Sequence, residues 1–214
     1  NCTELSNDQL YEESKKPFDF TLDPDSDEPQ ILIYHTHATE SFELSERDFY
    51  DASFSTKTTD PEKSIIAVGD EICRQLEQAG IPYIHDTLVH DYPSYNGSYQ
   101  SSRETVQRIL AEYPSIKIVL DIHRDGIERE DGTRLSPVAE INGKKAAQIM
   151  IISGCDDGTM NMPDYLKNFH FASHLQSKLE SNYEGLTRPV LFDYRFYNQD
   201  LTTGSLLIEV GSHG

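Results

Sequence analysis

The sequence predicts an α/β domain with a mostly parallel central sheet flanked by helices, and three observations carry that prediction. Short apolar runs of strand length alternate with stretches of helix length, in the order strand, helix, strand, helix, strand, over residues 31–122. The third run, residues 116–122, is apolar enough to be covered on both faces, as the strands of a parallel sheet are. Three runs also close on chemically active residues. Ile31-Leu32-Ile33-Tyr34 leads into His35-Thr36-His37, Ile118-Val119-Leu120-Asp121-Ile122 into His123-Arg124-Asp125, and Leu206-Leu207-Ile208 into Glu209-Val210-Gly211. In open α/β sheets, ligands gather beyond the carboxyl ends of the strands.

Taken in order, residues 1–29 are polar and acidic, ending in Asp23-Pro24-Asp25-Ser26-Asp27-Glu28-Pro29, and read as a lead-in arm without its own core. The ordered domain, residues 30–214, opens with strand 31–34. Residues 41–60, rich in Ser, Thr and Asp, form a loop over the site. A helix follows over 62–78, with Pro61 near its start and Gly80 as its stop. Residues 81–85 are the second strand. Tyr92-Pro93-Ser94-Tyr95-Asn96-Gly97-Ser98-Tyr99 is turn-forming and aromatic. Ser101 and Glu104 fit a capping box for a helix that runs to Tyr113 and stops at Pro114. The third strand is 116–122. Residues 128–134 are charged and turn-like, 136–141 form a strand, and Asn142-Gly143 turns a hairpin into 146–153. A helix over 163–182 and a strand over 205–210 complete the chain. No internal repeat is visible.

At 214 residues and 24.3 kDa, with 36% hydrophobic residues, the chain suits one domain with a sizeable core. No apolar run approaches the roughly 18–20 residues needed to cross a bilayer. No signal peptide is visible, so the numbered chain reads as a trimmed or mature fragment. Against 18 basic residues stand 37 acidic ones, a net charge of −19. That sign disfavours nucleic-acid phosphates and anionic membrane surfaces. It reads first as solubility and second as attraction for a basic protein partner. Cys2, Cys73 and Cys155 form no disulfide framework. Cys73 shares a helical stripe with Ile65, Val68, Ile72 and Leu76 and reads as a small core residue.

A strand alternates its faces, so His35 and His37 should leave the first strand on one side, with Glu40 just beyond the turn. Imidazole nitrogen and carboxylate oxygen are good zinc ligands, and with only one cysteine near any histidine-rich segment the sequence argues against a thiolate site. His37 and His123 are delivered by separate strands to the same sheet edge, which favours them as ligands. His170 and His174 are four apart on a helix, but Phe171 stands where a metalloprotease helix needs Glu, so the pair reads as structural. His85 and His90 each precede an aspartate in a loop, where hydrogen bonding is the ordinary role. His213 lies at the chain end.

The ordered motifs Ile33-Tyr34-His35-Thr36-His37-Ala38-Thr39-Glu40-Ser41-Phe42, Val68-Gly69-Asp70-Glu71, His90-Asp91-Tyr92-Pro93-Ser94-Tyr95-Asn96-Gly97-Ser98-Tyr99, Val119-Leu120-Asp121-Ile122-His123-Arg124-Asp125, Ile141-Asn142-Gly143-Lys144, Tyr197-Asn198-Gln199 and Leu207-Ile208-Glu209-Val210-Gly211 span residues 31–211. Together they resemble the stage II sporulation protein P family, related to zinc-dependent N-acetylmuramoyl-L-alanine amidases. The resemblance implies an amidase-like catalytic domain over 30–214 that holds zinc through His37, Glu40 and His123 and uses Glu209 for catalysis. Glu62 and His35 are the alternatives to Glu40 as third ligand. Arg124, Tyr95, Asn96, Arg195 and Asn198 are candidate substrate contacts, Arg124 also for charge on the reacting oxygen. The implied reaction cleaves the amide between the muramic-acid lactyl group and L-alanine in peptidoglycan, with endopeptidase action on stem-peptide cross-links also credited to the family. The implied setting is septal wall thinning and engulfment during sporulation, outside the cytoplasm, anchored to the membrane by a segment absent from this chain. Partners by resemblance are a lytic transglycosylase and a membrane scaffold. The family pattern continues past the last strand into a polar stretch and helix, whereas this chain stops at Gly214. Two rivals remain: an amidohydrolase barrel, for which the strand–helix units are too few, and a non-catalytic peptidoglycan-binding or scaffold module that keeps the amidase shape.

Overall fold

The apolar runs become the strands of one six-stranded sheet in a computed structural model that describes residues 3–43, 45, 49 and 53–213. In chain order the elements are α1 (Asn7–Ser14), β1 (Ile31–Tyr34), α2 (Ile65–Gln78), β2 (Tyr83–His85), α3 (Ser98–Glu112), β3 (Ile118–Asp125), β4 (Val138–Ile141), β5 (Lys144–Ala147), β6 (Ile149–Gly154), α4 (Tyr165–Asn182), β7 (Leu191–Asp193) and β8 (Ser205–Ser212). The sheet order is β2-β1-β3-β8-β6-β7, and β4-β5 form a separate hairpin. β1, β2, β3 and β8 run parallel, while β6 pairs antiparallel with β8. The chain is thus a single α/β domain with a mostly parallel sheet. The carboxyl ends of β1, β3 and β8 share one edge, and His123 on β3 lies directly opposite Glu209 on β8.

Alternation along β1 explains why all four of its residues are buried. Ile31 and Ile33 face one layer with Ile65, Cys73, Ile122, Phe171, Ala172 and Leu206, contributed in part by α2 and α4. Leu32 and Tyr34 face the opposite layer with Val106 and Ile109 of α3 and with Val119. A third cluster, Cys155, Phe169 and Phe192, packs with Leu5 and Leu10. Cys73 and Cys155 are buried thiols; Cys2 lies outside the described residues.

Helix α1 buries no side chain of its own. Its segment is held by contacts to α4: Glu13 pairs with His170 Nε2 at 2.8 Å, His174 Nε2 lies 2.9 Å from the Lys16 carbonyl, and Phe18 and Phe20 pack on Phe171. His170 and His174 therefore serve packing.

Four local expectations need correction. The helix after Pro61 comes in two pieces, a 3₁₀ turn at Pro61–Lys63 and then α2, because Ser64 is extended and its hydroxyl caps Ile66 N. Helix α3 starts a turn before Ser101. Gly97, at φ 89°, brings the chain from the preceding turn straight into Ser98, and Ser101 Oγ instead bonds His90 Nδ1 at 3.0 Å. The run 146–153 divides between β5 and β6. Strand β3 continues through His123 to Asp125 rather than stopping at Ile122. Strand β7, only three residues long, has no counterpart in the sequence reading.

Candidate metal centre

The site begins where β1 stops. Asp121, buried on β3 beside Tyr34, accepts from Thr36 N (2.8 Å) and Thr36 Oγ1 (2.6 Å), which draws the chain out of the strand line. His35 and His37 then diverge, contrary to the expectation that they leave on one side. His35 turns into the core, with Nδ1 3.0 Å from the Ile122 carbonyl and Nε2 2.9 Å from His85 Nε2. His85 Nδ1 lies 3.2 Å from Asp70 Oδ1. A carbonyl can only accept, so His35 carries its proton on Nδ1 and accepts from His85 through Nε2. Burial lowers the His35 pKa to about 4, which keeps it neutral in this role.

His37 goes the other way and meets Glu40 and His123. Its Nδ1 is 3.8 Å from Glu40 Oε1, and His123 Nδ1 is 3.6 Å from Glu40 Oε2. One ligand atom from each of the three residues lies within 4.8 Å of the other two. The imidazole rings stand 5.0 Å apart at 83°. Glu40 is fixed from behind by Arg124 N, which donates to its Oε2 at 2.9 Å, and its own N–H closes the turn on His37 O at 3.1 Å. Of the two alternative ligands, Glu62 is exposed and His35 is committed to Ile122 and His85.

The electrostatics are those of a buried acidic nest. Burial raises the Glu40 pKa, with His123 and Arg124 opposing. For His37, burial and then the neighbouring His123 bring the pKa down to about 4. Burial also disfavours charge on His123, yet Asp121, Glu40 and Glu209 outweigh it and lift its pKa to about 9. Its Nε2 is 2.8 Å from Asp121 Oδ1, a close ion pair whose N–H is not aligned as a hydrogen bond. Glu209, buried chiefly by its surroundings and further disfavoured as an anion by Glu40 and Asp125, has its pKa pushed up to about 7; His123 works against this rise. Its Oε2 is buried with no hydrogen-bond partner among the described residues.

The candidate substrate residues divide. Tyr95 is half exposed and stacks on His37 with centroids 4.5 Å apart. Asn96 is exposed on the adjoining turn. Arg195 is exposed and pairs with Asp193 at 3.3 Å. Asn198 is buried, donating to Tyr99 O and Ser102 Oγ, so it shapes the wall behind α3. The Arg124 guanidinium donates to the carbonyls of Asp125 and Thr56, which ties β3 to the loop 53–58. Three residues of the site were missed in the sequence. Asp121 could have been found, since it lies two before His123 and shares its strand face. Asp91, which accepts from Thr39 N and Oγ1, and Tyr99, whose ring faces His37 and His123, arrive from a distant loop and from the first turn of α3, with no spacing signal.

Over residues 2–214 the chain matches the model of the stage II sporulation protein P (SpoIIP) family. The chain belongs to that family. It is 31% identical over 196 residues to stage II sporulation protein P of Bacillus subtilis (strain 168), a match covering 86% of this chain and 46% of that protein. The chain thus spans about half the length of this SpoIIP relative. No solved structure matches it. Among the described residues, no helix is long and apolar enough to cross a membrane. Membership ties the chain to sporulation, and the quoted motifs that carry the resemblance include every residue of the His37, Glu40, His123 and Glu209 set.

The His35–His85 contact generates a stability prediction. A Cβ at Gly69 would lie 2.6 Å from both His35 Nε2 and His85 Nε2. An alanine inside a helix normally stabilises by up to about 1 kcal/mol relative to glycine. Here the overpacking term of roughly 1–3 kcal/mol should win. Urea denaturation of Gly69→Ala should show a net loss of stability; a gain would mean that the two imidazoles do not crowd α2.

Proposed function

We propose that the chain is a zinc-dependent N-acetylmuramoyl-L-alanine amidase acting on peptidoglycan, in wall thinning and engulfment during sporulation. The observation that carries this reading is the convergence of His37, Glu40 and His123 beside Glu209, whose buried Oε2 has no partner among the described residues. The residues fit a zinc ion. Ligand atoms around a tetrahedral zinc with bonds near 2.0–2.2 Å stand roughly 3.4 Å apart. His37 Nδ1 is 3.8 Å from one Glu40 oxygen, His123 Nδ1 is 3.6 Å from the other, and one ligand atom from each residue lies within 4.8 Å of the other two. Two nitrogens and one oxygen also leave a fourth position open, the arrangement of hydrolytic rather than structural sites.

Bound there, zinc supplies Lewis acidity and makes water a nucleophile near neutral pH. The protein's own residues do the rest. His37 stays neutral through burial and so keeps a lone pair for a cation. Asp121, itself held by Thr36, orients the His123 ring from its far side and increases the basicity of the facing nitrogen. Glu209 sits across from His123, its buried position tuned toward neutrality. It is placed to take a proton from attacking water on Oε2 and return it to the nitrogen of the leaving amine as the carbonyl–nitrogen bond breaks. Tyr95 and Tyr99 wall the His37 side and limit water there. The same chemistry extends to stem-peptide cross-links, which are also amides. A wall substrate puts the protein outside the cytoplasm, and by family resemblance its partners are a lytic transglycosylase and a membrane scaffold.

Glu209→Gln should retain zinc while hydrolysis of purified peptidoglycan falls by about 10²-fold or more. Mass analysis of wild-type products should show free stem peptides for the amidase reaction. Unchanged hydrolysis in the variant would remove Glu209 from the chemistry, and no hydrolysis by the zinc-loaded wild type would favour a wall-binding module. Asp121→Asn should weaken zinc binding by roughly 10- to 100-fold in competition with a chelator; equal affinity would show that Asp121 only braces Thr36.

A further inference from the structure

Lys57 lies at the mouth of the metal centre and has no part in the function described so far. Its backbone is fixed to the turn that carries two of the ligands. Lys57 pairs antiparallel with Glu40, Thr58 N donates to Thr39 O at 2.8 Å, and Ser41 N donates to Thr56 O at 3.0 Å. Its ammonium rests over the Tyr95 ring, 4.0 Å from the centroid, and Tyr95 in turn stacks on His37 at 4.5 Å. Only those two stacking steps separate the charge from a ligand ring. An ammonium has three donors, yet among the described residues Lys57 Nζ makes no hydrogen bond. Its acidic neighbour, Asp91 Oδ2, is 3.9 Å away and already accepts from Thr39. The side chain is 45% exposed, so a ligand entering the site can reach it. The other cation close by, Arg124, spends its guanidinium on two backbone carbonyls. In a chain of net charge −19, a cation held by its backbone and by a ring face beside a hydrolytic centre calls for a specific anion.

We propose that Lys57 is a specificity-determining residue that recognises a carboxylate on the peptide portion of the substrate, near the bond to be cut. This rests on the amidase reading above, which makes the ligand a peptide joined to a sugar's lactyl group. In such a stem peptide the residue after alanine is a γ-linked glutamate, whose α-carboxyl group is either free or amidated. The free acid accepts from the ammonium as an anion, the amide oxygen only as a weaker neutral acceptor, and the two differ in little else. Tyr95 then has two duties, presenting Lys57 on one face and covering His37 with the other.

Binding decides the matter without depending on turnover. Zinc-loaded Glu209→Gln protein is titrated with muramoyl tripeptides whose glutamate α-carboxyl group is free or amidated, in the presence of Lys57, Lys57→Gln or Lys57→Arg. With Lys57 the free acid should bind on the order of five- to ten-fold more tightly. Lys57→Gln should bring the two affinities together, and Lys57→Arg should restore the preference. Equal affinities with Lys57 present, a preference that survives Lys57→Gln, a uniform weakening of both peptides, or no binding of either would each overturn the proposal. Hydrolysis by the wild type, measured alongside, tests the amidase reading separately: a kept preference without hydrolysis sinks that reading and leaves Lys57 its ligand.

Discussion

The architecture of the site depends on one buried carboxylate. Asp121 sits wholly inside the sheet, where an anion is costly unless its oxygens are satisfied. Thr36 satisfies them with two donors, and His123 approaches from the same strand face. Burial pushes the Asp121 pKa up, but His123 and Thr36 together bring it below the ordinary value, so the group is held as an anion. Meeting that requirement pulls the chain out of β1 after Tyr34. The divergence of His35 and His37 follows, one toward α2 and one toward β3. Had β1 continued as a strand through His37, both imidazoles would have lain on one face and the metal set could not have closed.

From that point the two histidines divide the labour. His35 binds the carbonyl that precedes His123 and leans on His85, so it locks the end of β1 to β3 from the core side. His37 is left to face Glu40 and His123. The space that α2 must give to the imidazole pair explains a glycine in mid-helix, where its low helix propensity is otherwise a cost. Outside, Arg124 performs a similar tie, its backbone on Glu40 and its guanidinium on the loop that presents Lys57. Stability and site geometry are thus carried by the same contacts.

Much of this was legible in the residues. The apolar runs marked β1, β3 and β8, and the pairing of β3 with β8 put His123 and Glu209 at a common edge, because parallel strands align their carboxyl ends. The residues of the candidate metal set were legible as identities but not as geometry: strand alternation paired His35 with His37, and the long-range Thr36–Asp121 contact separates them. Helix starts were misplaced where the deciding feature was a backbone conformation, Gly97 in the left-handed region, rather than a side-chain signal. Asn198 and Arg124 carried the polarity of substrate contacts, yet Arg124 reaches the Thr56 carbonyl, 68 residues away in sequence, and Asn198 the Tyr99 carbonyl, 99 residues away. No local pattern announces contacts of that range.

The central claim, that distant segments converge on one divalent cation, is tested most directly by a crystal grown with zinc and measured at the zinc absorption edge. The account predicts an anomalous peak about 2.0–2.2 Å from the His37 and His123 Nδ1 atoms and a Glu40 oxygen. A peak on other residues, or none between those three, would contradict it.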